Sequence, residues 1–223
     1  PGQLILQYSN ACNARCPQCG LNATAHFERM KMSVDEARRI IDRAARNGVQ
    51  ALSLTGGEPL LFADDILELL RYAAAAGIPY TRTGTNGYLF IHSERPGWEK
   101  RIRNLAERLA TARPYTFWVS IDSAEPAVHE EMRGLPGVIK GIEKAIPLFH
   151  QYGLFPAANL GINRNVGGRW TRDLPHLTAA GRCQITYDAF RAAFVRFYML
   201  VRDLGFTIAN ACYPMSFERG EDG

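Results

Sequence analysis

The sequence predicts an α/β protein built on a parallel β-sheet. Short apolar segments of strand length alternate along the chain with longer amphipathic segments of helical periodicity. Strands that alternate with helices form parallel sheets through right-handed crossovers. Polar and Gly-containing sequences follow one strand after another, as expected where the carboxyl ends of the strands form a site. Six such units make either an open doubly wound sheet or an incomplete barrel.

Local signals place the individual elements. Residues 3–8 alternate polar and apolar side chains, which indicates a strand. Ser33 and Glu36 form a capping box before a helix that ends at residues 47–48. Pro147 should kink a later helix or mark its boundary. We predict further strands over 49–55, 79–83, 115–121, 155–162 and 206–211, and further helices over 66–76, 98–112, 138–152 and 187–204.

Composition narrows the class of protein. The chain has 223 residues, 47% hydrophobic and 22% charged, which is ordinary for a soluble globular protein. No segment approaches the roughly 20 apolar residues of a membrane span. The net charge of +4 is mild, so nucleic acid is not indicated as a partner. A chain of this length can bury one sizeable core, so we expect a single domain over residues 1–223. Because the chain starts at Pro1 without a Met, we expect that this domain is trimmed at both ends.

Three of the five cysteines, Cys12, Cys16 and Cys19, lie within eight residues. This clustering in a chain without a signal peptide predicts a metal site in a reducing, cytoplasmic compartment. The spacing allows one loop to ligate three corners of an iron–sulfur cube and leave one iron open. A zinc site with His26 or Cys183 as fourth ligand is the first alternative. Chance clustering of thiols is the second.

A Gly-Gly-Glu-Pro turn follows the second predicted strand. Gly56 and Gly57 let the backbone approach a ligand closely, and Pro59 fixes the turn. Glu58 places an acceptor where a cationic amine can bind. Taken alone, these residues are also compatible with an ordinary strand-to-helix turn.

The cysteine loop beyond the first strand and the turn at 56–59 beyond the second together resemble the radical S-adenosylmethionine (radical SAM) superfamily. The resemblance covers nearly the whole chain and implies a partial (β/α)6 radical SAM barrel with parallel strands. It implies that Cys12, Cys16 and Cys19 hold a [4Fe–4S] cluster whose fourth iron binds the amino and carboxylate groups of SAM. Reductive cleavage of SAM then gives methionine and a 5′-deoxyadenosyl radical that abstracts hydrogen from a substrate. Many members carry an aromatic residue where this chain has Gln18, which affects a contact on the adenine side.

Residues 118–123 and 129–134 resemble the peptide-modifying and cofactor-building branch of the superfamily. There a strand-end polar group contacts the SAM ribose and an Arg faces the SAM carboxylate, which suits the planar guanidinium. The alternative is that Asp122 caps a helix and Arg133 is solvated. His129 is expected on a helix surface, and Thr83 is a further candidate contact to SAM. The predicted cofactor-binding residues are Gly56, Gly57, Glu58, Pro59, Thr85, Asn86, Ser120, Asp122, Arg133 and Asn163.

The resemblance implies an enzyme that acts on an unidentified peptide, cofactor precursor, lipid or nucleotide, with an electron donor such as flavodoxin or ferredoxin. The competing function is a zinc-stabilised or iron–sulfur binding or regulatory module without SAM chemistry. Cys183 and Cys212 lie far from the cysteine loop along the chain. They are candidates for an auxiliary cluster, a hydrogen donor or simply buried thiols.

Overall fold

The structure, a computed structural model, describes residues 2–14, 16, 19, 28–162, 166–172 and 183–212. Its strands form one sheet in the order β1-β2-β3-β4-β5-β6, and every neighbouring pair is parallel. The predicted parallel α/β fold is therefore confirmed. Because the strands follow each other in chain order without a reversal, the sheet is an incomplete barrel and not a doubly wound sheet.

The elements follow the predicted order. The strands are β1 (Gln3–Ser9), β2 (Ala51–Gly56), β3 (Tyr80–Thr85), β4 (Thr116–Ser120), β5 (Ala157–Gly161) and β6 (Ile208–Cys212). The helices are α1 (Val34–Arg46), α2 (Ala63–Ala75), α3 (Trp98–Ala112), α4 (Pro126–Arg133), α5 (Val138–Gln151), α6 (Arg169–Arg172) and α7 (Cys183–Asp203). No helix in the described ranges is long and apolar enough to cross a membrane.

The predicted capping box begins α1. The Glu36 amide donates to Ser33 Oγ at 3.2 Å, and the Ser33 amide donates to Glu36 Oε2 at 3.0 Å. The box satisfies two amides that have no partner within the helix. It orients α1 so that Ala37 and Ile41 are fully buried.

The hydrophobic core lies on one face of the sheet. Side chains such as Leu52, Leu54 and Val119 are fully buried in one cluster with apolar side chains of the helices. Burial of each such Leu or Val contributes about 1.5–3 kcal/mol. Since side chains of a strand alternate between faces, the residues between them lie on the opposite face, which we call the inner face. This face is open, and Ile5 and Arg82 are exposed on it.

Three expectations about the helices need correction. α5 matches the helix predicted over 138–152 and continues through Pro147, so of the two expectations at Pro147, a kink or a boundary, the boundary is wrong. α4 was not predicted, and it packs His129 into the interior, so the expected surface position of His129 is also wrong. α7 begins at Cys183, four residues before the predicted start. Within the long connection predicted over 163–182, the described part contains the short α6.

Candidate functional site

The ends of three neighbouring strands surround a cavity of about 160 Å³. β2 with its following turn, β3 and β4 supply most of the lining, and α4 supplies the guanidinium of Arg133. This is the carboxyl edge of the sheet, where parallel α/β proteins place their ligands. The lining residues are Thr55, Gly56, Gly57, Glu58, Pro59, Gly84, Thr85, Asn86, Trp118, Ser120 and Arg133.

Eight of the ten predicted cofactor-binding residues line this cavity. The exceptions are Asp122, which lies behind Arg133, and Asn163, which lies outside the described residues. Thr83 does not line the cavity either. Its hydroxyl is fully buried and donates to the Leu54 carbonyl at 2.9 Å, so Thr83 serves the packing between β2 and β3.

The two glycines of the turn lie against the backbone that leads into the cysteine loop. A Cβ on Gly56 would collide with the Ser9 carbonyl, and one on Gly57 would collide with the Ala11 carbonyl. The amides of Gly57 and Glu58 donate to these two carbonyls, each at 2.8 Å. The glycines therefore allow close contact with the protein's own cysteine loop, a contact that the sequence did not reveal.

Glu58 joins two strand ends from within the protein. Its side chain is only 1% exposed, and its oxygens accept the Leu60 amide at 3.1 Å and the Asn86 amide at 2.6 Å. Burial raises the pKa of this carboxyl to about 7. Both oxygens of Glu58 already accept backbone amides. An amine that binds here would therefore interact with a carboxylate that has two hydrogen-bond partners in the protein.

Asn86 connects the cavity to the first cysteine. Its Nδ2 lies 3.7 Å from Cys12 Sγ and 2.9 Å from Asn13 Oδ1, and its Oδ1 accepts the Tyr88 amide at 2.9 Å. The Asn86 side chain is thus held at both ends. A ligand in the cavity and a metal group on the cysteine loop would share this side chain as a neighbour.

A buried cluster of Asp122, His129 and Arg133 supports the far wall of the cavity. Arg133 Nε donates to Asp122 Oδ2 at 2.7 Å, and the Asp122 amide donates to His129 Nδ1 at 3.1 Å. α4 brings the two partners together because residues four apart lie on one helix face. Burial lowers the pKa of His129 to about 4, so the imidazole is neutral. The alternative of a solvated Arg133 is wrong, since this side chain is buried and paired.

The cysteine loop presents reduced thiols. Cys12, Cys16 and Cys19 form no disulfide; the first two are half-buried and the third is exposed. Burial raises the pKa of Cys16 to about 11, although the nearby Arg133 acts in the opposite direction. Burial also raises the pKa of Cys12, while donors from the Ala14 amide and Asn86 act against it. Such N–H donors and a nearby cation suit sulfurs that become thiolates when a metal binds.

These three thiols fit an iron–sulfur cluster by their chemistry, because soft thiolates are the ligands of such clusters. In the described part of the chain, no three His, Cys, Asp or Glu side chains converge on a point where one metal ion can bind. A cube distributes its cysteine ligands over separate iron atoms, so convergence on one point is not required. Gln18, His26 and the side chains of Cys183 and Cys212 lie outside what the structure describes.

Several residues of the site were not predicted. Gly84 and Trp118 both line the cavity, and the Trp118 indole lies directly over Gly84, where a Cβ would collide with it. Strand alternation places both on the inner face, which is a weak signal because it does not distinguish a site from an open wall. For α4, a proline at its start and Gly134 just beyond its end are the usual helix signals.

The sequence matches the radical SAM superfamily over residues 6–172. The chain belongs to this superfamily. The matched region contains the cysteine loop, the turn at 56–59 and the whole of α4. Members of the superfamily are enzymes that use a [4Fe–4S] cluster and SAM, so the predicted enzyme class and cofactors are confirmed.

Curated relatives of this chain include proteins named as heme synthases and proteins named as GTP 3′,8-cyclases. An AdoMet-dependent heme synthase of Methanosarcina barkeri (strain Fusaro / DSM 804) is 31% identical over 140 residues, which are 63% of this chain and 36% of the relative. A probable GTP 3′,8-cyclase of Thermococcus kodakarensis is 29% identical over 163 residues, 72% of this chain and 48% of the relative. The chain therefore spans less than half the length of these relatives.

Solved structures share the fold. Native anSMEcpe with bound AdoMet matches with a TM-score of 0.58 at 19% identity, covering 99% of this chain and 54% of that chain. Streptococcus suis SuiB bound to S-adenosylmethionine matches with a TM-score of 0.60 at 18% identity, covering 94% and 49%. At these identities the likeness shows the fold alone, and it confirms the predicted partial (β/α)6 radical SAM barrel.

Proposed function

We propose that this chain, as one core domain over residues 1–223, cleaves SAM reductively to methionine and a 5′-deoxyadenosyl radical that abstracts hydrogen from a substrate. The cysteines that would hold the cluster are Cys12, Cys16 and Cys19. When bound there, the [4Fe–4S] cluster supplies the electron for cleavage and an open iron for the amino and carboxylate groups of SAM. SAM occupies the cavity at the ends of β2, β3 and β4.

One observation carries this proposal, which is the position of Asn86. This side chain lines the cavity and also lies within reach of Cys12 Sγ. Glu58 accepts the Asn86 amide, so the glycine turn, the end of β3 and the cysteine loop form one connected unit. A SAM molecule in the cavity would therefore lie next to a cluster on the loop, as electron transfer to its sulfonium requires.

The polar residues of the cavity have separate roles in binding SAM. The guanidinium of Arg133 donates to the SAM carboxylate and uses Asp122 as its fixed partner, so that the fork is oriented before SAM binds. Ser120 contacts the ribose. The glycine turn receives the amino group. Trp118 closes the cavity on the inner face and excludes water from it.

The thiols release their protons when the cluster binds. Burial keeps the pKa of Cys16 high in the metal-free protein, so iron binding displaces a proton from its Sγ. Arg133 lies close enough to lower the pKa of Cys16, and the same guanidinium serves the SAM carboxylate. The positive charge of Arg133 thus acts on both sides of the site.

The names of the relatives favour a nucleotide or cofactor precursor as substrate over a peptide or a lipid. One group of relatives is named for GTP and the other for heme synthesis. Radical SAM enzymes take electrons from an external reductant, and we propose a flavodoxin or ferredoxin in that role. Free thiols that must remain reduced are consistent with a cytoplasmic location.

The decisive experiment is anaerobic reconstitution with iron and sulfide, reduction, addition of SAM and chromatography for 5′-deoxyadenosine. The wild-type chain should release 5′-deoxyadenosine and methionine in equal amounts. Cys16→Ala should release neither. A chain that takes up zinc instead and leaves SAM intact under reduction would overturn the proposal.

A further inference from the structure

The inner face of the sheet continues below the SAM cavity as a wall on which Ser53 is buried and Ile5 and Arg82 are exposed. Residues Ile5, Ser53, Arg82 and Thr116 lie side by side in the register of the first four strands. Two residues further along β3, Gly84 lies beside Trp118 at the floor of the cavity. The wall at Arg82 is therefore one side-chain layer, about 7 Å, below the cavity.

Arg82 is the single charged residue in the six strands. Its Nε donates to Ser53 Oγ, and Ser53 also accepts from Gln3 Nε2 at 3.3 Å. These contacts fix the stem of the side chain along the wall. Arg82 is nevertheless exposed, so a ligand on the inner face can reach its side chain.

No carboxylate pairs with Arg82 among the residues that the structure describes, and the inner-face positions of the six strands hold no Asp or Glu. Some arginines elsewhere in the described chain do pair with a carboxylate, among them Arg38 with Glu68, Arg103 with Glu99 and Arg133 with Asp122. A fixed, unbalanced guanidinium on a concave wall presents a planar donor pair to whatever enters. Its matching partner is a carboxylate or a phosphate.

We propose that Arg82 binds an anionic group, carboxylate or phosphate, on the substrate whose reacting carbon lies at the SAM cavity. This inference rests on the proposed function for its reaction but not for its binding chemistry. It requires a substrate with its anionic group about one layer, ~7 Å, below the floor formed by Trp118. An uncharged, fully apolar substrate would leave the guanidinium unused.

The test is chemical modification of arginines by phenylglyoxal in the reconstituted chain, mapped by mass spectrometry. Two anions serve as probes: inorganic pyrophosphate represents a phosphate group and succinate represents a carboxylate. At saturation the matching anion should slow modification of Arg82 about tenfold, as expected for ~90% occupancy of one site. Arg71, an exposed arginine of α2, is the internal control and should react at an unchanged rate.

The variants Arg82→Gln and Arg82→Lys complete the experiment. Both should release 5′-deoxyadenosine from SAM at the wild-type rate without substrate, because Arg82 does not line the SAM cavity. Lys keeps the charge but loses the fork, so anion binding should weaken about tenfold, and in Gln it should be lost. The readout is how strongly the bound anion protects the tryptophan fluorescence of the iron-free chain from an external quencher.

The proposal is overturned if neither anion slows modification of Arg82 at concentrations up to about 10 mM. It is also overturned if both anions protect Arg71 as strongly as Arg82, since that would be a general effect of ionic strength. Failure of the proposed function has a different signature. In that case wild-type protein makes no 5′-deoxyadenosine, while the protection of Arg82 still reports the anion site.

Discussion

Arg133 Nε donates to the Asp122 carboxylate at 2.7 Å, and both side chains are at least nine-tenths buried. The pair connects the segment just beyond β4 to the guanidinium that lines the cavity. A buried cation is tolerated only when a partner compensates it. Stability therefore depends on this ion pair, and we propose that SAM binding depends on it too.

Asp122→Ala should destabilise the protein by about 3–5 kcal/mol, because it leaves the buried Arg133 charge without its partner. Denaturation of the iron-free chain by urea measures this change. Asp203→Ala, which removes an exposed carboxylate on α7, should change stability by less than about 0.5 kcal/mol. Equal effects of the two substitutions would show that the Asp122–Arg133 pair does not stabilise the fold.

Arg133→Lys should raise the KM for SAM about tenfold and change kcat much less, because lysine keeps the charge but loses the bidentate fork. The rate of 5′-deoxyadenosine release at varied SAM measures both constants. Arg101→Lys is the matched control. Arg101 is exposed, donates to the Leu89 carbonyl and does not line the cavity. An unchanged KM for SAM in Arg133→Lys would show that Arg133 does not bind the SAM carboxylate.

Gly57→Ala should lower the iron content after reconstitution by more than half, because the new Cβ collides with the Ala11 carbonyl just before Cys12. Iron and acid-labile sulfide analysis measures the effect. Gly2→Ala is the control, since the nearest atom to its added Cβ is 3.8 Å away. Full iron content in Gly57→Ala would mean that the cysteine loop does not depend on this close contact.

Glu58 and His129 should give the stability of the iron-free chain opposite dependences on pH. Burial raises the pKa of Glu58 from 4.5 to about 7. The folded state then holds the extra proton in this window, and the free energy of unfolding falls as pH rises. Burial lowers the pKa of His129 from 6.5 to about 4. Here the unfolded state holds the extra proton, and the free energy of unfolding rises with pH.

Each effect amounts to roughly 3 kcal/mol, so the two should nearly cancel in wild type between about pH 4.5 and 6.5. Glu58→Gln leaves the His129 effect, and its free energy of unfolding should rise with pH. His129→Gln keeps an acceptor for the Asp122 amide and leaves the Glu58 effect, so its free energy of unfolding should fall with pH. Urea denaturation across this window measures both slopes, and slopes of the same sign in the two variants would contradict the account.

Local signals in the sequence predicted much of the fold and the cofactor chemistry. The capping box of Ser33 and Glu36 depends on residues three apart, and strand alternation has an equally short range. The spacing of Cys12, Cys16 and Cys19 is also a local pattern. The turn at 56–59 and the cysteine loop could therefore be recognised in the sequence as two motifs that together resemble the radical SAM superfamily.

Contacts between segments that are distant along the chain could not be predicted from the sequence. Glu58 accepts the backbone amide of Asn86, which is 28 residues away along the chain. The sequence around Glu58 does not show whether its carboxylate binds such an amide or faces a ligand. Trp118 covers Gly84 only because β3 and β4 are neighbours in register. The burial of His129 likewise depends on how α4 packs onto the end of β4, and not on the residues next to it.

We propose that SAM binds in this cavity beside a cluster on the cysteine loop. Electron paramagnetic resonance of the reduced, reconstituted protein during titration with SAM tests this binding directly. We expect a saturable change in the cluster spectrum at one SAM per cluster, weakened in Arg133→Lys. A cluster spectrum that SAM leaves unchanged, in protein with full iron content, would contradict the proposal.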